Sequence, residues 1–568
     1  MIFRRGFSTM SAHTAPSHQR KDGMAVSEPA VRPAPSPQAG VLRPLRHRLF
    51  RALWVATVFS NIGTWMHDVS AAWLMTTLSS TPLLVALVTT AGAFPMFLLA
   101  LPAGALADIL DRRRLLLITQ VWMLSSAAVL GLLTIAGWAT PAVLLVLTAV
   151  LASGAALNMP AWQAITPELV PHEEVPAAVS LGGVSFNLAR AIGPALGGLL
   201  LAGLGPGPVF LLRALSFIGI IYVLVKWRRM STEPVFPRER MLSAIRAGIR
   251  YARHAPLLQT VLFRTFVFMV GASALWALLP LLASVHLGAG ALEYGMLMGA
   301  IGLGALLGAV LLPVLRRTFS LDTMMNLSML VFALAVAVCA AVEEFVLLLG
   351  IMGAIGVGWM VIMSTFNVGA QLTVPAWVRA RALSLFLVMF MAGMALGSAL
   401  WGWIAGAAGV PVTLAISGGS IVLGILLTNR YPMREIPEAS VTPSLHWPLP
   451  DALRDTHPAA GPVLVMMDYE IDPRQTEEFL LAIHQLATIR KRDGGMEWGI
   501  YSDPAVPGRF VETYVVESWA EHLRQHARFT YGDKSVEDHV RTFHIGEQPP
   551  RVRHLLYGWR SERSPRTA

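Results

Sequence analysis

Read along its length, the chain changes character twice. Between residues 52 and 429, apolar stretches of about 20 residues, the length that crosses a bilayer as a helix, alternate with short polar turns. The apolar runs fall at 52–78, 83–107, 114–137, 142–163, 175–203, 208–227, 258–286, 292–315, 322–341, 345–371, 380–406 and 411–429. They predict twelve membrane-spanning helices. The sixth and seventh are set apart by a longer polar segment, so the arrangement is six plus six. Inside that segment, Leu242, Ile245, Ile249 and Ala252 recur on one face, with Arg246, Arg250 and Arg253 beside them. That is the pattern of a basic amphipathic helix lying on an inner leaflet.

The ends read differently. Residues 1–45 are rich in Pro, Ala and Ser without hydrophobic periodicity, as in a disordered tail. A Pro-rich linker covers 432–460. From 461 the pattern becomes strand (VLVMMDYEI), helix (opened by Asp472 and Pro473), two strands (MEWGIYSD, RFVETYVVES), two helices and a last strand (VRHLLYGW). This β-α-β-β-α-β order is ferredoxin-like. The expected fold is therefore an all-α membrane protein of twelve transmembrane helices in two six-helix bundles (46–228 and 257–431), a cytoplasmic loop between them (229–256), and a C-terminal α+β ferredoxin-like domain (461–560).

Charge orients the spans. Only 14% of the 568 residues are charged, where a soluble chain carries about a quarter. The formal charge of +10 falls in alternate connections: Arg43 to Arg51, Arg112 to Arg114, Arg228 to Arg253, Arg316 and Arg317, Arg379 and Arg381, Arg430 and Arg434. The other connections (LSSTP, AGWATP, GLGPGP, HLGAGALE, AVEE, GAAGVP) hold no Lys or Arg. By the positive-inside rule both termini and the central loop face the cytoplasm of a bacterial inner membrane. The basic residues thus mark a lipid bilayer as partner, and no nucleic acid. Cys339 is the sole cysteine, which excludes an intrachain disulfide. No G-x-x-x-x-G-K-[ST] segment occurs, and neither a cofactor nor a metal is expected.

The two halves resemble each other. Residues 170–198 lie over 374–402 without a gap, matching Val170/Val374, Pro171/Pro375, Ser180/Ser384, Leu181/Leu385, Phe186/Phe390, Gly193/Gly397 and Gly198/Gly402. Parallel repeats of this kind place a binding site at the midplane between bundles.

Between the second and third runs, GALADILDRRRLL crowds five charges into one loop. Gly104, Asp108, Arg112 and Arg113 resemble the loop signature of the major facilitator superfamily, although Ile109 replaces a usual basic residue and Asp111 a usual glycine. The acidic variant, with GTWMHDVSAAWLM and PAWQAITPELVP, resembles the enterobactin-exporter-like branch over roughly residues 45–430. The resemblance implies a charged cytoplasmic latch in which Asp108 caps a helix and Asp111, Arg112 and Arg113 take part. GPALGG, with Gly193, Pro194, Gly197 and Gly198, resembles the helix-5 motif of exporters and implies a bent, closely packed helix between the halves. Simple orientation by arginine and generic small-residue packing are the plainer readings of these two motifs.

Charges inside spans cost at least ~2.5–3.5 kcal/mol on insertion scales and mark function by default. Asp68 and Arg190 reach similar depths on the first and fifth spans, where they pair or share a cavity. A structural ion pair is one reading. In the other, Arg190, with Asn187 and Trp65, receives an anionic or polar small molecule while Asp68 exchanges a proton. Arg213 is expected to snorkel outward. Asn158, Gln163, Asn367 and Gln371 are read as interhelical glue.

In the last domain, Trp519 to His526 resembles dimeric α/β barrels of the antibiotic-biosynthesis-monooxygenase type. That resemblance implies a homodimer formed sheet to sheet, with sensing or cofactor-free oxygenase activity as further options. His522 and His526 stand one helical turn apart. The expected function is proton-coupled export of a small siderophore-like or drug-like compound. Uptake, and a membrane-tethered oxygenase or ligand sensor, remain alternatives.

Overall fold

The computed structural model describes residues 42–227, 241–432, 438–444, 446–447 and 460–558, without the side chains of residues 101, 105, 108, 109 and 241–245. Of the tail expected over residues 1–45, residues 1–41 lie outside the described residues, as does much of the linker, but Arg43–Arg46 form a short 3-10 helix in which Arg43 bonds Glu174.

The apolar runs are helices with nearly the predicted bounds: α1 (Arg48–Leu78), α2 (Pro82–Ile109), α3 (Arg112–Ile135), α4 (Pro141–Leu169), α5 (Val175–Leu204) and α6 (Pro206–Lys226). After α7 (Met241–Arg253) come α8 (Pro256–Leu281), α9 (Ala291–Thr318), α10 (Leu321–Val338), α11 (Phe345–Leu372), α12 (Arg379–Ala408) and α13 (Val410–Thr428). Proline in the first turn begins α2, α4, α5, α6, α8 and α13, where its missing N–H costs nothing. Among the described residues, eleven helices are long and apolar enough to cross a membrane. The first, α1, has 31 residues but carries Asn61, His67 and Asp68, and is not among the eleven.

Helix pairing recurs. In the first half α1 packs on α5 and α6, α2 on α4, and α3 on α4 and α6. In the second, α8 packs on α12 and α13, α9 on α11, and α10 on α11 and α13. The halves meet where α5 packs on α9 and α2 on α12. The turns leaving α5 and α12 are alike too, with Gly205 at φ 78° and Gly409 at φ 79°, a left-handed conformation that favours glycine.

The C-terminal domain comprises β1 (Val463–Glu470), α14 (Thr476–Asp493), β2 (Met496–Ser502), β3 (Arg509–Val516), α15 (Trp519–Arg528), α16 (Tyr531–Arg541) and β4 (Arg551–Leu556). Its sheet is antiparallel, in the order β2-β3-β1-β4. Val463, Val465, Met467 and Tyr469 alternate into the core against Phe479, Ile483 and Leu486 of α14. Residues 438–444 and 446–447, expected as linker, pack on this domain instead: Ser444 N–H donates to Phe529 O and Tyr531 N–H to Thr442 O.

Candidate functional site

The midplane site is built around α5, wedged between α1 and α9. Toward α1, a Cβ on Gly193 would lie 2.6 Å from Trp65 Cβ, and one on Gly197 2.9 Å from Met66 Cα. Toward α9, a Cβ on Gly299 would meet that of Ala195 at 3.2 Å, and one on Gly302 would meet Arg190 O at 2.4 Å. The glycines of the helix-5 motif are therefore close-approach positions. With 100° between successive residues, Asn187 and Arg190 fall in the arc between the two contact faces.

Arg190 is 8% exposed, its Nη2 is buried without a partner, and it makes no hydrogen bond among the described residues. Asn187 spends its amide on Gly183 O at 3.0 Å. Trp65 stands beside Phe186, ring centres 6.2 Å apart. Arg190, Asn187 and Trp65 thus gather around one wedge.

Asp68 is exposed on the same side of α1 as Asn61 and Trp65, but it does not pair with Arg190. Trp65 is level with Gly193, so Asp68 lies about 9 Å further along the bundle than Arg190 at 1.5 Å per residue. Among the described residues Asp68 forms no ion pair; Arg213 on α6 acts on it only across a longer gap. The expected snorkelling of Arg213 is corrected: it is 6% exposed, donates to Ser60 O at 2.5 Å and Ser60 Oγ at 3.0 Å, and covers the Phe217 ring at 4.1 Å. Ser60 supplies on α1 the acceptors that hold this charge inside the helix pair. His67, against Phe210 with ring centres 5.0 Å apart, is buried with both nitrogens unpartnered among the described residues.

Contacts between halves gather at the arginine-free end. There Trp73 of α1 stacks on Tyr294 of α9, and a Cβ on Gly402 of α12 would lie 2.4 Å from that of Ala86 on α2. Toward the arginine-rich end, a Cβ on Gly104, Gly182 or Gly183 meets nothing within 4 Å. The closest contacts between the halves thus lie toward the arginine-free end.

In the loop after α2, the helix cap expected of Asp108 falls to Asp111, whose carboxylate accepts from Arg114 N at 2.9 Å. Asp108 is still inside α2, and its side chain is outside the described residues. Arg112 bonds Glu168 of α4 at 2.9 Å, and Arg113 donates to Leu224 O and Val225 O at the end of α6. These contacts tie helix ends within the first half, where anionic carbonyl ends attract cations. Sequence reasoning passed over Arg264, eight residues into α8, which is fully buried and bonds Asp322 of α10 at 2.5 Å and Thr428 O of α13. The lone basic residue in VLFRTFVF was the available signal.

The amphipathic helix α7 exists, but its surroundings differ from the expected lipid surface. Tyr251 packs with Leu258, Val374 and Val378 beneath the second half, and α14 covers it from the other side. Arg250 bonds Glu521 at 3.2 Å, Arg492 sits over the Tyr251 ring, and Arg528 over the Trp377 ring at 4.3 Å. Burial works to raise the Glu521 carboxyl, but Arg528, Arg524 and Arg250 outweigh it and hold it below the usual range. His522 and His526 turn inward, their Nε2 atoms 3.2 Å apart. Burial pushes them down to about 3 and about 4, so both are neutral at pH 7. No group of three or more His, Cys, Asp or Glu suited to a metal occurs among the described residues.

Residues 39–563 match the family model described as transmembrane secretion effector, of the major facilitator type, so the match runs through the C-terminal domain. The multidrug efflux pump Tap of Mycolicibacterium fortuitum is 27% identical over 399 residues, covering 68% of this chain and 96% of that protein. The enterobactin exporter EntS of Shigella boydii is 28% identical over 67% of this chain and 91% of its own length. The staphyloferrin A transporter of Staphylococcus aureus is 26% identical over 64% and 90%. Among solved structures, a bacterial homologue of the human lysosomal transporter Spinster, inward-facing and unoccupied, superimposes with a TM-score of 0.55 at 15% identity, over 68% of this chain and 95% of that one. A POT family transporter in complex with a thioalcohol-conjugated peptide gives 0.57 at 14%, over 68% and 96%. At such identities these two likenesses establish the fold alone.

Proposed function

The chain belongs to the transmembrane secretion effector family of major facilitator transporters, and from that premise we propose that it exports a small anionic or amphipathic organic compound, coupled to proton entry. It is a multi-pass membrane transporter. On our reading α1 is the twelfth span, the two halves are six-helix repeats, and the arginine-rich end faces the cytoplasm of a bacterial inner membrane. The recurring helix pairs and the glycine corners at 205 and 409 support the repeats. The arginine placement supports the orientation. We read the end where the halves touch most closely as the closed, outward end, and the wedge as opening to the cytoplasm.

One observation carries the substrate class. Arg190 is a buried arginine without a partner among the described residues, beside the contact between halves. A buried uncompensated charge is costly, and an anion entering from the open end compensates it. The repeat-equivalent position in the second half is Met394, so on our reading one wall is cationic and the other apolar. That suits an amphipathic anion, the class to which we assign the siderophore-like or drug-like cargo suggested by the relatives' names. Asp68 is the proton-exchanging group: a carboxylate whose cation is drawn away takes up a proton more readily, and Arg213 is the cation that α1–α6 motion moves. Asp108, Asp111, Arg112 and Arg113 remain our proposed latch for the opposite, inward-closed state. The outer face of the C-terminal sheet, with Leu464, Met466, Val511 and Val515, is our proposed homodimer surface. Catalysis in that domain is not favoured, because the family and the named relatives are transporters.

Proteoliposomes with an imposed pH gradient test the proposal. Adding a siderophore-type or drug-type carboxylate should collapse the gradient with wild-type protein and leave it intact with Arg190→Met. A gradient insensitive to every anionic compound would overturn the reading.

A further inference from the structure

The C-terminal domain contains a cleft between α14, α15 and β3, and the chain fills it with its own Trp447. The indole lies against Phe529, ring centres 4.5 Å apart, edge-on to His526 at 4.8 Å, with the Arg490 guanidinium 5.0 Å from its ring. Its Nε1–H donates to Glu537 at 2.9 Å. What remains of the cleft is about 10 Å³, lined by Trp447, Ile489, Arg490, Asp493, Tyr514, Gln525 and Phe529.

Around this largely apolar remnant, two buried polar atoms lack partners among the described residues. Arg490, 2% exposed in its side chain, bonds Glu512 and Glu537 yet leaves Nη1 unpartnered among the described residues. His526 Nδ1 is likewise buried and unpartnered. Core positions usually satisfy such atoms, because an orphaned buried polar group costs about 1–3 kcal/mol. The cleft therefore offers an aromatic wall, a cationic face, a carboxylate acceptor and spare polar atoms, around a side chain that arrives from a separate strap, residues 438–444 and 446–447.

We propose that this cleft is a binding site for a planar aromatic molecule bearing a ring N–H or an O–H donor, of the indole or phenol class, and that Trp447 is its displaceable internal occupant. Arg490 stacks on the ligand ring, Glu537 accepts a hydrogen bond from its N–H or O–H, and Phe529 and His526 form the walls. The strap joins the cleft to α13, so displacing Trp447 releases the tether of the last transmembrane helix. The second output runs through α15. One face of this helix carries His526 against Trp447, with His522 behind it, and another carries Glu521 and Arg528, which hold α7 and Trp377. Ligand entry thus loosens strap and docking contact together. The site rests on the proposed transport only for what it regulates, and its binding step is measured without transport.

The test uses the full chain in detergent, with indole and benzofuran as probes, which share a shape and differ in the N–H. Trp447→Ala should bind indole about tenfold more tightly than wild type, and about tenfold more tightly than it binds benzofuran, a difference of about 1.4 kcal/mol in each case. In the wild type, saturating indole should raise hydrogen exchange in residues 438–447 and in α7. Equal affinity of Trp447→Ala for the two probes would make the cleft an ordinary hole left by a side chain. A strap whose exchange ignores indole would make Trp447 a permanent part of the core. Either result overturns the proposal, and the wild-type measurement stands whether or not the variant folds.

Discussion

Gly198 of α5 and Gly295 of α9 lie so close that a Cβ on Gly198 would stand 2.7 Å from Gly295 Cα, and the reverse 2.6 Å from Gly198 Cα. Backbone meets backbone across the contact between halves, so nothing larger than hydrogen fits while that end is closed. Overpacking a tight contact costs about 1–3 kcal/mol. Gly198→Leu should therefore shift the protein toward the state open at the arginine-free end. Cys339 is the only native cysteine, so a single replacement gives a background for paired spin labels. Distances across the arginine-free end should lengthen in the variant, and an unchanged distribution contradicts the assignment.

Arg190→Met, which copies the residue at 394, should separate stability from transport. Removing a buried charge that lacks a partner leaves the thermal midpoint unchanged or higher, while transport falls about tenfold or more, a loss of at least ~1.4 kcal/mol. A lower midpoint would mean that Arg190 has a structural partner.

Asp68→Asn keeps the size of the side chain and removes its charge and its proton. Exchange of substrate across the membrane should persist, while accumulation driven by a pH gradient disappears. Arg213→Gln should give a milder defect, because Ser60 can still bond the amide. The comparison is made in proteoliposomes, with and without the gradient. A gradient-driven Asp68→Asn variant would remove Asp68 from the coupling.

Much of the fold was legible because it obeys strong one-dimensional rules. Run length gave the helix bounds within a few residues, and proline and glycine marked their ends. Partnerships were less visible. Counting from the helix starts suggested Asp68 with Arg190, yet the register of the two helices, with Trp65 level with Gly193, sets them about 9 Å apart along the bundle. Arg264 was missed because one arginine near a helix start looks like orientation, although Asp322 and Thr428 meet it from distant parts of the chain. The basic face of α7 reads as lipid-facing until Glu521, 271 residues away, is found against Arg250. Trp447 sat in a stretch that composition marks as linker, and only the packing of α15 and α16 gives it a role.

The C-terminal domain should lose stability in mild acid. His522 and His526 stay neutral down to about 3 and about 4, while the unfolded chain protonates them near 6.5. Between those limits the unfolded state binds more protons, so stability falls as pH drops from 6.5 toward 4, by up to ~1.4 kcal/mol per pH unit for each unmatched proton. Glu521 and Glu537, held below the usual carboxylate range, add to the loss only below about 4.5. Calorimetry of the full chain at pH 7 and pH 5 should show a lower-melting domain transition at pH 5. His522→Gln with His526→Gln should flatten the difference, and a flat wild-type profile contradicts neutral buried histidines.

The most direct test of export through the Arg190 wedge compares small molecules inside and outside three strains: a deletion, the deletion carrying the wild-type chain, and the deletion carrying Arg190→Met, each with and without iron. The account predicts an anionic compound that accumulates inside the deletion strain, leaves its medium, and is restored to the medium by the wild type but not by Arg190→Met. A compound left unconsumed in the medium of the deletion strain would reverse the direction of transport, and full rescue by Arg190→Met would remove the guanidinium from the substrate path.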